Sequence, residues 1–491
     1  MMVVERTDPN PSAFIYSLRS VGYSFETAVA DIIDNSISAG ATKIKIFFQN
    51  TDTANPVFAI IDNGTGMDSK QLKEAMRLGS TNPLEQRNAT DLGRFGLGMK
   101  TASFSICKRL TVISSVKDQK SGACWDLDEI ATNNSWDLDI LSKTQIKGTP
   151  FEEFLPKDGT AIVWEKIDRL IDFSAKDFTK EFNAAISSLE KHLSITFHRY
   201  IAGEPGLKKI SIFINEHQIE AFDPFNTKNP ATQILETDEI NIGGSKIVIT
   251  PYILPHHSKT QTDEYERYAG EGGYLANQGF YVYRNKRLIV KGSWFRLATP
   301  GNLTKLARVR VDIPNTMDEA WNIDVKKSTA TPPIIIRDRL KSTIEKIMGK
   351  SARTYTARGA RLHDSSAVQM WEQVIAEGKV FYKINPSHPL VSSIREKLDH
   401  AGEVAFCALL DMIAKCFPTE LLFSDYGTKP QDVVQNDIDL DALVEVAKLM
   451  IADWIKNADM SRTDALRALE RIVPFNKHIS YLTERLTNDN K

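Results

Sequence analysis

Cysteine is scarce, with four in 491 residues. Cys107, Cys124, Cys407 and Cys416 form no CxxC pair and have no histidine at zinc-ligand spacing. This argues against a zinc ribbon or a disulfide framework and predicts reduced core thiols in a cytoplasmic protein. Long apolar runs are also missing: no run of about 18 apolar residues occurs, so no membrane-spanning helix is expected. The opening Met1-Met-Val-Val-Glu-Arg-Thr-Asp8 lacks the apolar segment of a signal peptide. Charge of one sign is not in excess, because 61 Lys+Arg and 63 Asp+Glu leave a net −2. Any nucleic-acid contact must therefore come from a local patch. No GxxxxGK[ST] stretch is present, which excludes a P-loop NTPase. Internal repeats and low-complexity tracts are absent too.

What remains is ordinary globular composition, 42% hydrophobic and 25% charged, with length for roughly three domains at about 150 residues each. Residues 11–40 read as helical. Phe25, Val29, Ile32, Ile33 and Ile37 form one apolar stripe behind a Ser24 cap, with Thr27 where a full capping box has Glu. Lys43–Phe48 and Val57–Ile61 read as strands. Helix, strand, strand, glycine turn and helix is an α/β sandwich pattern, not a βαβ crossover. A second α/β unit follows from about 175, with a tight turn at Asn285-Lys286 between Gly279–Arg284 and Arg287–Val290. A long basic helix is expected over about 334–362, then a mostly helical remainder. Expected boundaries are 1–172, 173–340 and 341–491.

Three segments in the first third carry chemistry. Asp31-Ile-Ile-Asp-Asn35 places Asp31 and Asn35 on one helix face, because residues four apart are neighbours. Glu26 lies nine residues before Asn35, about 180° round the helix, and is not the preferred base. Asp62-Asn-Gly-Thr-Gly-Met67 follows an apolar strand, so Asp62 ends that strand, and Gly64 and Gly66 allow close backbone approach. Gly93-Arg-Phe-Gly-Leu-Gly98 opens a helix, and exposed amides at a helix start bind phosphate. Gly93, Gly96 and Gly98 suit a mobile lid over about 79–98. Leu97, Met99 and Lys100 stand at the loop–helix junction as further candidate contacts to a phosphate-bearing ligand, Lys100 to a phosphate oxygen. The polar stretch Ser80–Asp91 disfavours a Rossmann turn, which needs a buried strand before it.

In this order, with Asp158-Gly-Thr160 before a strand-like Ala161–Trp164, the segments resemble the Bergerat ATP-binding fold of the GHKL superfamily. That group includes gyrase, MutL, the large heat-shock chaperone, sensor histidine kinases and MORC proteins. The resemblance covers about residues 10–340 and is nearest to bacterial MORC-like and MutL-like proteins with a transducer domain. It implies a Bergerat-type α/β sandwich, an S5-like α/β transducer and ATP hydrolysis. It also implies Asn35 as the Mg²⁺ ligand, Asp31 as the base in place of the commoner Glu, and Asp62 as acceptor of the adenine amino group. Met67 would then lie on the adenine ring, with Thr160 in support. Trp321-Asn-Ile-Asp-Val-Lys-Lys-Ser328 is similar to the transducer segment that sends a lysine to the γ-phosphate. Strand alternation would let only one of Lys326 and Lys327 reach, and Lys327 is preferred.

Segment 277–310 holds Arg284, Lys286, Arg287, Lys291, Arg296, Lys305, Arg308 and Arg310 with no acid. Tyr281, Tyr283, Trp294 and Phe295 are interleaved, a pattern that suits duplex DNA. The expected function is a Mg-ATP-dependent ATPase that homodimerises on ATP binding and acts on DNA. The resemblance adds a restriction or phage-defence setting with a partner nuclease or helicase. The alternative is a chaperone-like clamp acting on protein clients. His192, His198, His256, His257 and His388 show no ligand spacing and read as structural.

Overall fold

In the computed structural model, the described residues are 7, 9–20, 22–49, 55–79, 98–170, 177–301, 304–324, 327, 329–362, 367–376, 379–419, 421–422 and 437–488. They form two compact units, Met1–Gly349 and Lys350–Lys491.

The first unit begins with two helices where one long helical stretch is expected. Helix α1 (Pro11–Arg19) ends before Ser20, and α2 (Phe25–Ser38) starts at a new cap. The Ser24 side chain accepts the Thr27 amide, and the Thr27 side chain bonds back to the Ser24 backbone. Threonine thus completes the reciprocal cap without a glutamate. Gly40 follows with a φ of 74°, as a helix-terminating glycine does.

An eight-stranded sheet lies against these helices. Its strands are β1 (Lys43–Gln49), β2 (Val57–Asp62), β3 (Cys107–Val116), β4 (Gln119–Asp126), β5 (Asp139–Ile140), β6 (Gly159–Ile167), β7 (Ser211–Ile214) and β8 (His217–Gln218). The spatial order is β5-β4-β3-β6-β2-β1-β7-β8. Strand β2 sits between β1 and β6, antiparallel to both, and its last residue Asp62 lies opposite Thr160. The apolar face packs onto α2, α3 (Ser69–Met76) and α4 (Gly98–Phe104) through Phe25, Val29, Ile32, Ile60, Phe104 and Trp164. The architecture is an α/β sandwich. Strand β7 runs parallel to β1, so this first layer reaches residue 218 and the expected boundary at 172 cuts through it.

The second sheet, within the same unit, comprises β9 (Gln233–Ile234), β10 (Asp238–Ile242), β11 (Ser245–Ile253), β12 (Gly279–Arg284), β13 (Arg287–Ser293) and β14 (Ala307–Ile313). Strand β12 pairs parallel with β14 and antiparallel with β13. Asn285 and Lys286 both have positive φ, 46° and 70°, the geometry of a two-residue primed turn. Residues 321–324 are turn and coil and Lys327 is a bend, while Lys326, expected to alternate with it along a strand, lies outside the described residues. The helix Ile334–Leu362 follows.

In the second unit, helix Leu440–Asn457 buries Leu443, Val444, Ala447 and Met450 in a small core with Leu469, Phe475 and Leu482. A hairpin, Trp371–Ala376 with Lys379–Ile384, stands within the expected mostly helical remainder. No helix among the described residues is long and apolar enough to cross a membrane.

Candidate nucleotide site

Helix α2 carries the first box. Asp31 and Asp34 are buried, at 2% and 0% exposure, while Asn35 is exposed. Asn35 lies about 40° round the helix from Asp31 and about 100° from Asp34, so the side of the helix that carries Asp34 is covered and the side beyond Asp31 that carries Asn35 is open. Two buried carboxylates need counter-charge, and both cations come from the second sheet's side of the unit. Lys327 Nζ lies 3.1 Å from Asp31 Oδ1 and 2.7 Å from Asp34 Oδ2. Arg287 Nε donates to Asp34 Oδ1 at 3.2 Å. The other oxygen of Asp31 accepts the Tyr23 hydroxyl at 2.8 Å. Burial raises the Asp31 carboxyl above the usual range, and Lys327 pulls it back down. A Cβ on Gly98 would lie 3.5 Å from Asp31 Oδ2, so α4 begins beside this carboxylate.

The second box builds a buried acceptor. Asp62 is 6% exposed. Its Oδ1 accepts the Gly64 amide at 2.8 Å and its Oδ2 accepts the Ser36 hydroxyl at 2.8 Å. Burial raises its carboxyl above the usual range despite these bonds. Gly66 has a φ of 67°, and a Cβ there would fall 2.0 Å from the Ser115 carbonyl oxygen. Only glycine fits such a close backbone crossing. The Thr160 hydroxyl sits 2.9 Å from Ser114 Oγ, and the Met67 amide donates to that same Oγ at 2.8 Å. Ser114 on β3 thus ties the second box to Thr160. The Met67 side chain packs against the core.

The third box is less favourable to its expected roles. Gly93, Gly96 and Leu97 lie outside the described residues, as does Lys326. Met99 packs against the core. Lys100 is corrected: the residue is 1% exposed and its ammonium donates to the carbonyls of Ala75 and Arg77, both at 2.7 Å. It closes the C-terminal end of α3, where unsatisfied carbonyls attract a cation. Glu26 accepts the Ser188 hydroxyl at 2.7 Å, facing the helix Phe178–Thr196.

The expected cationic DNA face is also corrected. Arg284, Arg287, Lys305 and Arg308 are buried. Arg284 is held by both oxygens of Asp318, at 2.6 and 2.7 Å, and Arg308 by the carbonyls of Pro224 and Tyr268. Tyr281, Tyr283 and Trp294 are core residues. Of the eight cations only Lys291 and Arg296 are exposed. Strand alternation in sequence could not separate internal arginines, paired across distant segments, from a solvated charged face.

Asp34, Tyr23, Arg287, Ser36 and Ser114 join the site without having been singled out for it. Asp34 stands inside the first box, three residues after Asp31, and that spacing was the available signal. Nothing local marks the others.

The donors at α2 suit a hard cation. The exposed Asn35 amide offers a neutral oxygen, of the kind Mg²⁺ accepts while keeping waters, whereas both oxygens of Asp31 are taken by Lys327 and Tyr23. Asp34 is already engaged by Lys327 and Arg287. A cation held at Asn35 would offset phosphate charge.

Residues 23–160 match the family described as histidine kinase-, DNA gyrase B-, and HSP90-like ATPase. This stretch of the chain is similar to the GHKL ATPases. Similar proteins include Protein MICRORCHIDIA 7 of Arabidopsis thaliana, 27% identical over 169 residues, covering 32% of this chain and 22% of that protein. ATPase MORC2B of Mus musculus is 29% identical over 96 residues, 19% of this chain and 9% of its own length. The mouse structural maintenance of chromosomes flexible hinge domain-containing protein 1 is 32% identical over 118 residues, 19% of this chain and 6% of its own. The matched region is thus MORC-like, and it spans less than a quarter of each of these relatives.

Proposed function

We propose that the chain binds and hydrolyses Mg-ATP at this site. The observation that carries the proposal is the meeting of Lys327 with Asp31 and Asp34, at 3.1 and 2.7 Å, across 296 and 293 residues of sequence. Hydrolysis needs a carboxylate to align water and a cation for the developing phosphate charge. Asp31 takes the first role and Lys327 the second. Asp62, with Thr160 and Ser114, receives the adenine edge, and Asn35 holds the Mg²⁺. Asp31 is one methylene shorter than the usual glutamate, which suits slow turnover.

ATP competes for Lys327, so nucleotide state is passed to the second sheet's side of the unit. A dimer formed on ATP binding and opened by hydrolysis follows as the mechanical output. Duplex DNA is the client in this proposal, supported by likeness to a protein named for chromosome maintenance, no longer by segment 277–310. A restriction or phage-defence setting with a partner nuclease or helicase enters through family resemblance alone.

Phosphate release from ATP, with and without duplex DNA, tests the proposal. ATP-dependent phosphate release lost in Asp31→Asn and stimulated by DNA is the expected result. A wild-type rate in Asp31→Asn removes the base assignment, and no stimulation across a salt series removes the DNA client.

A further inference from the structure

Arg287 has no part in the hydrolysis described above, yet it sits at the centre of the cluster. It opens β13 and is 2% exposed. Its Nε donates to Asp34 Oδ1 at 3.2 Å. Its Nη1 donates to the Lys327 carbonyl at 2.9 Å and to the Leu288 carbonyl at 3.3 Å. Its Nη2 lies 3.8 Å from Asp31 Oδ1. One planar guanidinium therefore holds a carboxylate of α2 and the main chain that carries Lys327. A lysine is a single point charge on a flexible stem and cannot reproduce this fork.

The charge count shows what such a group does. Lys327 is shared by two buried carboxylates. If a phosphate takes its ammonium, Asp34 remains buried and would be left unpaired, a costly state. Arg287 is a second cation already bonded to Asp34, so Lys327 can leave. The backbone of Lys327 also needs holding, since its φ is 50°. A non-glycine residue keeps a positive φ only where the surroundings enforce it. The Arg287 bond to the Lys327 carbonyl is one restraint, and the Lys327 amide bond to the Asp324 carbonyl at 3.0 Å is another.

Resting on the ATPase reading above, we propose that Arg287 is a positioning residue: it keeps Asp34 neutralised and fixes the Lys327 backbone, so that the Lys327 ammonium can move between the carboxylates and the nucleotide.

The test is steady-state ATP hydrolysis by the full chain carrying Arg287→Lys, Lys327→Ala, both together, or Arg284→Lys. Arg284 is the control, equally buried at 2% exposure and paired with Asp318 outside the cluster. Arg287→Lys is expected to lower kcat at least about tenfold with KM for ATP within about threefold of wild type. Arg284→Lys is expected to keep the wild-type kcat. Adding Arg287→Lys to Lys327→Ala should lower kcat no further, because coupled residues are not additive. A wild-type kcat in Arg287→Lys, an equal loss in Arg284→Lys, or an additive loss in the double variant overturns the proposal. If Arg287→Lys does not fold by circular dichroism, Arg287→Gln replaces it with the same expected and overturning results. A wild-type chain that releases no phosphate overturns the ATPase reading together with this role. An active wild type with an unaffected Arg287→Lys overturns the role of Arg287 alone.

Discussion

Lys327 Nζ lies 2.7 Å from Asp34 Oδ2, joining two residues 293 positions apart in a buried ion pair. The same ammonium reaches Asp31 at 3.1 Å. On the proposed function, a nucleotide phosphate entering here would compete with two carboxylates for one cation, which would make Lys327 the sensitive point of the site.

Lys327→Ala should therefore lower kcat for ATP by about 100-fold, as loss of one charge-stabilising donor does. Asn35→Ala should abolish Mg-ATP binding, and chelation of Mg²⁺ should do the same to the wild type. Titration calorimetry with a non-hydrolysable analogue separates the two. Retained binding in Asn35→Ala would refute its metal role.

Tyr23 orients Asp31 through its hydroxyl at 2.8 Å. Tyr23→Phe keeps the ring and loses that bond. We expect kcat to fall about tenfold with little change in KM, the pattern of an orienting group. A change confined to KM would place Tyr23 in binding instead.

Gly66→Ala should impair ATP binding more than folding of the rest of the chain. Its Cβ would fall 2.0 Å from the Ser115 carbonyl oxygen, at a φ of 67°. The strand end carrying Asp62 must shift to relieve this. Fluorescent ATP-analogue binding is the measurement, and wild-type affinity would contradict the assignment of the second box.

Trp164 is fully buried, stacks on Phe58 at 5.3 Å and donates to Ser103 Oγ at 2.8 Å. Trp164→Ala should cost about 3–5 kcal/mol, the usual range for such a cavity. Urea denaturation followed by circular dichroism reads it, and a cost below about 1 kcal/mol would show a core able to collapse.

His198 is buried against the Tyr283 hydroxyl at 2.9 Å, and burial lowers its pKa from 6.5 to about 4. Between these values the unfolded chain binds a proton that the folded chain does not, so stability falls as pH drops from 6.5 to about 4. His198→Asn should reduce that slope by about one proton. Melting temperatures across this range check it, and an unchanged slope would contradict the burial of a neutral ring.

The order of boxes was legible because each is local: a helix face, a strand end and a glycine turn are written within a few residues. The strands β12 and β13 and their Asn285-Lys286 turn were legible for the same reason. Asp31 and Asp62 could be singled out because their neighbours in sequence set their faces. Lys100 was misread, since a cation after a glycine loop looks alike whether it meets a phosphate or the carbonyls of Ala75 and Arg77. Arg284 and Arg308 were misread as surface, because alternation reports two faces and not which one is solvated.

The sequence by itself determined the α/β sandwich, the likeness of its first third to the GHKL ATPases and the carboxylates of α2, because hydrophobic period and turn chemistry act over short distances. Only the tertiary structure decided that Asp34, Tyr23 and Arg287 share one cluster with Lys327. Burying two carboxylates demands cations at contact distance, and Arg287 on the second sheet and Lys327 after it supply them from 253 to 296 positions away.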